Sequence, residues 1–125
     1  MSKKILIVDD EPHIRLLLEQ TLEELEEEGV ELLSAINGEE ALEVIKSEKP
    51  NLVFLDVMMP KMNGFEVCNF VKKELKIENV YIVLLTAKGQ EFDKQRGQDV
   101  GADLYMTKPF DPDEVLVKSQ EILGL

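Results

Sequence analysis

The 125-residue chain has no tryptophan, one cysteine and one histidine. A lone Cys68 cannot close an internal disulfide and has no second thiol for a zinc cluster, so a disulfide scaffold and a thiolate zinc site are excluded; core packing is its expected role. His13 falls in the first turn of an expected helix without partners for catalysis or metal binding, and it reads as a surface residue. Positive charge is scarce as well, with 14 Lys and Arg against 26 Asp and Glu and a net charge of −12. Such a surface repels phosphate backbones, which argues against direct nucleic-acid binding and favours basic partners or metal cations. No apolar run approaches bilayer length. The four apolar residues Ile5 to Val8, closed by Asp9-Asp10, are too short for a signal-peptide core. The expectation is a cytoplasmic chain with no membrane association.

What is present is globular composition, 44% apolar and 32% charged, at a length suited to one domain spanning residues 1–125. Five short apolar runs stand out: Ile5 to Val8, Val30 to Ala35, Leu52 to Leu55, Val80 to Leu85, and Ala102 to Met106. Most are continuous rather than alternating, as strands covered on both faces require. Helical stretches separate them. The first carries a stripe of Ile14, Leu17, Leu18, Thr21, Leu22 and Leu25, with Pro12 in its opening turn and Gly29 past its end. Asn37 with Glu40, Asn63 with Glu66, and Asp111-Pro112 with Glu114 have capping-box spacing and predict helices at about 38–47, 64–74 and 112–123. The segment from Lys88 to Val100, anchored mainly by Phe92 and Val100 and interrupted by Gly97, is expected to be the least stable helix.

Alternating strands and helices with right-handed crossovers give a single-domain α/β fold, a doubly wound five-stranded parallel sheet. Such sheets bind ligands outside the carboxyl ends of their strands. Asp9 and Asp10 follow the first strand, Asp56 the third, Thr86 ends the fourth, and Lys108 lies just past the fifth. Each has an ordinary explanation as a cap, a turn residue or a solvated lysine. Together they need another, because carboxylates within about 4 Å repel by roughly 4 kcal/mol per pair at an effective dielectric near 20. A divalent cation bound by oxygen ligands relieves that repulsion, and Mg²⁺ fits a set with no Cys or His. Mg²⁺ beside a carboxylate, a hydroxyl and an ammonium points to phosphoryl transfer with the carboxylate as acceptor.

The stretches Ile5-Leu6-Ile7-Val8-Asp9-Asp10-Glu11-Pro12, Leu55-Asp56-Val57-Met58-Met59-Pro60 with Asn63-Gly64, Leu85-Thr86-Ala87, and Gly101-Ala102-Asp103 through Tyr105 to Lys108-Pro109-Phe110 resemble the receiver domain of bacterial two-component response regulators. The resemblance covers essentially the whole chain. It implies a flavodoxin-like fold with strand order 2-1-3-4-5, and a Mg²⁺-dependent phosphoryl transfer from a sensor histidine kinase onto Asp56. Asp10, Asp56 and the backbone carbonyl of Met58 are implied to bind Mg²⁺ directly, with Asp9 acting mainly through water. Thr86 and Lys108 are implied to contact phosphoryl oxygens, and Lys108-Pro109 to be a cis peptide. Thr86 and Tyr105 are implied to form the switch, carrying the signal to the surface of the fourth helix, fifth strand and fifth helix and on to a downstream partner or output domain. Met58 and Lys88 occupy positions that vary in the family and modulate water access. The domain is then no turnover enzyme and catalyses only its own phosphorylation and dephosphorylation.

Two other readings share the architecture. A Mg²⁺ phosphatase of the haloacid dehalogenase type wants Asp-x-Asp after its first strand, where this chain has Asp9-Asp10-Glu11. A flavin-binding module wants a hydroxyl- and glycine-rich phosphate loop after Val8, which is missing.

Overall fold

A computed structural model describes residues 3–87 and 94–125. Strands β1 (Lys4–Val8), β2 (Glu31–Ala35), β3 (Leu52–Asp56), β4 (Tyr81–Ala87) and β5 (Leu104–Lys108) alternate with helices α1 (Pro12–Leu22), α2 (Gly38–Glu48), α3 (Gly64–Asn69), α4 (Lys94–Asp99) and α5 (Pro112–Leu123). The strands form one parallel sheet in the order β2-β1-β3-β4-β5, as expected. Lys88 and Phe92, which the sequence reading singled out, lie outside the described residues.

The continuous apolar runs follow from two covered faces. Successive side chains of a strand point to opposite sides, so Leu6, Val53, Leu55, Ile82 and Leu84 enter one core with α2 and α3. Ile5, Ile7, Phe54, Val83 and Leu85 enter another with α1 and α5. Every residue of β3 is buried. Fully burying a Leu, Ile or Phe contributes roughly 1.5–3 kcal/mol, and it is this two-sided packing that holds β3 at the centre of the sheet.

Several boundaries depart from the sequence reading. Leu18, Leu22 and Leu25 of the α1 stripe are buried, but Leu17 is 40% exposed; α1 stops at Leu22 and continues as a 3-10 turn, Glu23–Glu28. The shift in pitch carries Leu25 inward and leaves the glutamates in water. The third helix runs as α only to Asn69 and then widens into a π turn, Phe70–Glu74. Asn63 and Glu66 form the full reciprocal cap, and Asn37 accepts from the Glu40 backbone N–H. Asp111 instead accepts from Asp113 rather than Glu114.

The last strand starts two residues later than expected. Asp103 leaves the strand pattern because its carboxylate accepts the Ile82 backbone N–H at 2.9 Å and pairs with Lys72 at 3.1 Å. That tie ends the turn from α4, so β5 extends to Lys108 and delivers the lysine from the strand itself. Likewise β3 ends on Asp56 and β4 includes Thr86. Cys68 is buried, as expected, and its apolar surroundings push the thiol up to about 12. Among the described residues no helix is long and apolar enough to cross a membrane.

Candidate functional site

At the carboxyl ends of β1 and β3, oxygen atoms of Asp9, Asp10 and Asp56 all lie within 4.8 Å of one another. Strand register explains the meeting: Val8 pairs with Leu55, so residues one step further along both strands emerge side by side. Asp9 is fully buried, Asp56 is 3% exposed, and Asp10 faces solvent. The cluster therefore has two buried carboxylates and one at its mouth.

Lys108 offsets part of that charge. Its ammonium lies 2.9 Å from Asp9 Oδ2 and 3.0 Å from Asp56 Oδ1. Burial alone would pull the ammonium's pKa down, but the hydrogen bond to Asp9 and the charge of Asp56 outweigh it and hold it above the usual lysine value. Asp56 shifts in the other direction from an ordinary carboxylate. Burial first, then the negative charge of Asp9, push its pKa up to about 6 against the opposing pull of Lys108. Among the described residues Lys108 alone forms an ion pair with these three acids, which leaves the cluster short of positive charge. All the available donors are oxygens, so a hard divalent cation suits the cluster better than a thiolate- or imidazole-loving metal.

Thr86 is 1% exposed near the end of β4, in register with Thr107 of β5. Tyr105 is half-buried on β5, opposite Leu84. Its ring lies against Gly97 of α4, so closely that a β-carbon there would stand 3.0 Å from Tyr105 Cδ2. Met58 follows in the loop after β3 with 60% of its surface exposed, whereas Met59 is buried and Met62 packs on the core. The Lys108-Pro109 peptide is cis. His13 is 73% exposed, 3.3 Å from Glu11 and apart from the acidic cluster, as a surface residue should be.

Two residues shape the site in ways the sequence reading did not assign, Gly64 having been read only as part of a motif and Arg15 not at all. Arg15 reaches back from the first turns of α1 and donates to the Asp9 carbonyl at 2.7 Å, fixing the backbone from which Asp9 and Asp10 project. Gly64 allows the start of α3 to rest on β3, since a β-carbon there would stand 2.4 Å from the Asp56 carbonyl oxygen. Its N–H donates to Val57 O at 2.9 Å. The glycine directly after the cap Asn63 was a visible hint of close approach; Arg15 left no local signal.

The family model described as "Response regulator receiver domain" matches residues 5–120. The alkaline phosphatase synthesis transcriptional regulatory protein PhoP of Bacillus subtilis is 49% identical over 125 residues, which cover 98% of this chain and 49% of PhoP. The chain thus spans about half the length of the curated relatives it matches. Among solved structures, the BeF3-activated DrrB receiver domain superposes with a TM-score of 0.85 at 30% identity, covering both chains completely. The Vibrio cholerae chemotaxis response regulator CheY4 gives 0.83 at 33% identity, over 98% of this chain and 99% of its own.

Proposed function

The chain belongs to the response regulator receiver domain family, and from that premise we propose that residues 1–125 act as one phosphorylation-operated switch with Asp56 as the acceptor. The observation that carries this reading is the Asp9, Asp10 and Asp56 cluster with Lys108 inserted between its two buried members.

The phosphoryl donor is a phosphohistidine of a sensor kinase. An Asp56 carboxylate oxygen attacks phosphorus, the P–N bond breaks, and its electron pair leaves with the imidazole. Lys108 supplies positive charge to one phosphoryl oxygen, and the Thr86 hydroxyl donates to another. Asp10, Asp56 and the Met58 backbone carbonyl would hold Mg²⁺, with Asp9 behind them, and the ion would supply positive charge to the phosphoryl oxygens. Burial of Asp56 keeps bulk water from the acyl phosphate, while the exposed Met58 side borders the route by which hydrolytic water enters.

The product carries about two negative charges and three acceptor oxygens where a single carboxylate stood. Lys108 and Thr86 adjust towards it, Tyr105 turns into the space that Thr86 vacates, and the surface of α4, β5 and α5 changes. That surface controls a downstream protein or output domain; the acidic receiver itself makes no contact with nucleic acid or membrane and works in the cytoplasm. It transfers one phosphoryl group per molecule rather than turning over a substrate.

Intact mass after incubation with acetyl phosphate and Mg²⁺ tests the assignment. One added phosphate on the wild type and none on Asp56→Asn is the expected result. Full labelling of Asp56→Asn would move the acceptor elsewhere, and steady release of phosphate from a phosphomonoester would replace the switch with a phosphatase.

A further inference from the structure

Asp10 is the member of the acidic cluster whose own side chain is held by nothing. It faces solvent, and among the described residues its carboxylate has no hydrogen-bond donor or cation in reach, whereas Asp9 and Asp56 share Lys108. Its aim is therefore set by the backbone on either side of it. A peptide group is planar, so a hydrogen bond to its oxygen or its N–H restrains the whole plane. In the peptide before the Asp10 Cα, the Asp9 carbonyl accepts from Arg15 Nη1 at 2.7 Å. In the peptide after it, the Glu11 N–H donates to Asp9 Oδ1 at 2.9 Å. Asp9 is itself anchored, its other carboxylate oxygen by Lys108 at 2.9 Å and its N–H by the Ala35 carbonyl of β2 at 3.3 Å. One plane thus depends on Asp9 and the sheet, and the other on a single side chain from α1.

The charge of that side chain is not directed at the acids. Arg15 is half-buried against the Asp9 backbone, yet among the described residues it forms no ion pair, and Lys108 alone pairs with the cluster. A guanidinium beside carboxylates ordinarily takes the stronger, charge-assisted bond to one of them. Here a carbonyl takes its short bond, and the Asp10 carboxylate stays open to a cation.

We infer that Arg15 is a positioning residue for the divalent cation: by holding the peptide between Asp9 and Asp10 it aims the Asp10 carboxylate, and so sets the Mg²⁺ affinity of the switch. The inference rests on the Mg²⁺-dependent reading of the Asp9, Asp10 and Asp56 cluster proposed above. Groups that orient a metal ligand matter by about ten- to a hundredfold in affinity. The sign of the effect separates this role from plain electrostatics. A guanidinium near a cation site repels the cation, so loss of its charge alone tightens Mg²⁺ binding, whereas loss of orientation weakens it.

The test is a Mg²⁺ titration of the full chain, followed by backbone amide NMR at residues 9–11 and 56–59, for the wild type, Arg15→Met and Arg15→Lys. Arg15→Met should raise the Mg²⁺ Kd by about tenfold. Arg15→Lys keeps a charged donor but not the planar fork, and its Kd should fall between the two. In EDTA the amide shifts of Arg15→Met should depart from the wild type around Asp10 while the rest of the spectrum is retained. Labelling of Asp56 by acetyl phosphate should be slow in Arg15→Met at a Mg²⁺ concentration near the wild-type Kd, and should return to the wild-type rate once Mg²⁺ saturates, because Arg15 acts only through Asp10. A Kd for Arg15→Met equal to or below that of the wild type, or labelling that stays slow at saturating Mg²⁺, would overturn the assignment. If Arg15→Met does not fold, Arg15→Lys decides: a raised Kd supports the role and a wild-type Kd overturns it. A wild type that shows no saturable Mg²⁺ shifts would instead remove the metal reading on which the inference stands.

Discussion

Lys108 and Asp56 meet at 3.0 Å, the lysine carried by an edge strand and the aspartate by the strand at the sheet's centre, with β4 between them. The same ammonium reaches Asp9 at 2.9 Å, so one cation holds two buried acids together. Breaking such an arrangement leaves buried charge without compensation, which typically costs about 3 kcal/mol or more.

Lys108→Ala should therefore destabilise the metal-free protein by about 3 kcal/mol near neutral pH. Mg²⁺ should restore more stability to this variant than it adds to the wild type, because a cation replaces the missing charge. Phosphorylation, or its conformational readout, should weaken even though Mg²⁺ still binds. Urea unfolding with and without Mg²⁺, paired with acetyl phosphate labelling, checks both halves. Wild-type behaviour in all three would remove Lys108 from the site.

Asp56 sets a pH dependence with a definite sign. Its pKa in the fold is about 6 against an ordinary 3.8, so between those values the native state holds a proton that the unfolded chain has released. The contribution is fully present below about pH 4 and is lost as pH rises through 6, amounting to about 2 kcal/mol once solvent screening is allowed for. Asp56→Asn does not titrate. The stability difference between Asp56→Asn and the metal-free wild type should grow in favour of Asn from pH 4 to 7, as read by denaturant unfolding across that range. A flat difference would mean that Asp56 is not desolvated in solution.

Mg²⁺ should raise thermal stability by roughly 1–3 kcal/mol at concentrations ten to a hundred times its Kd. Asp10→Ala should abolish the gain, since on the proposed assignment the solvent-facing carboxylate would complete the ligand set. Scanning calorimetry with and without saturating Mg²⁺ measures it; an unchanged midpoint in the wild type would count against the cation.

Gly97→Ala probes the contact between α4 and β5. The added β-carbon would meet Tyr105 Cδ2 at 3.0 Å and Leu84 Cδ1 at 3.3 Å, so the ring or the helix must shift by a few tenths of an ångström. Stability should fall by about 1 kcal/mol, and the orientation of Tyr105 before phosphorylation should change. Fluorotyrosine NMR separates Tyr105 from Tyr81, the only other tyrosine. An unaltered Tyr105 signal, with and without phosphorylation, would take the ring out of the switch.

The apolar runs and cap residues disclosed where strands and helices lie, because burial on two faces and satisfaction of helix-end N–H groups are local demands written in local residues. Asn63 and Glu66 form the reciprocal cap that their spacing anticipates. The π turn at Phe70–Glu74 and the late start of β5 were hidden, since neither has a sequence period of its own. The latter depends on Asp103 bonding to Ile82 on another strand.

Composition and pattern alone determined that this is a two-sided α/β sheet with acids at the strand ends, because hydrophobic periodicity and strand order leave few other solutions. Only the tertiary structure decided that Asp9, Asp10 and Asp56 converge within 4.8 Å and that Lys108 bridges two of them. Those relations join residues distant along the chain, and their distances are set by strand register and by packing between elements rather than by any neighbour in sequence.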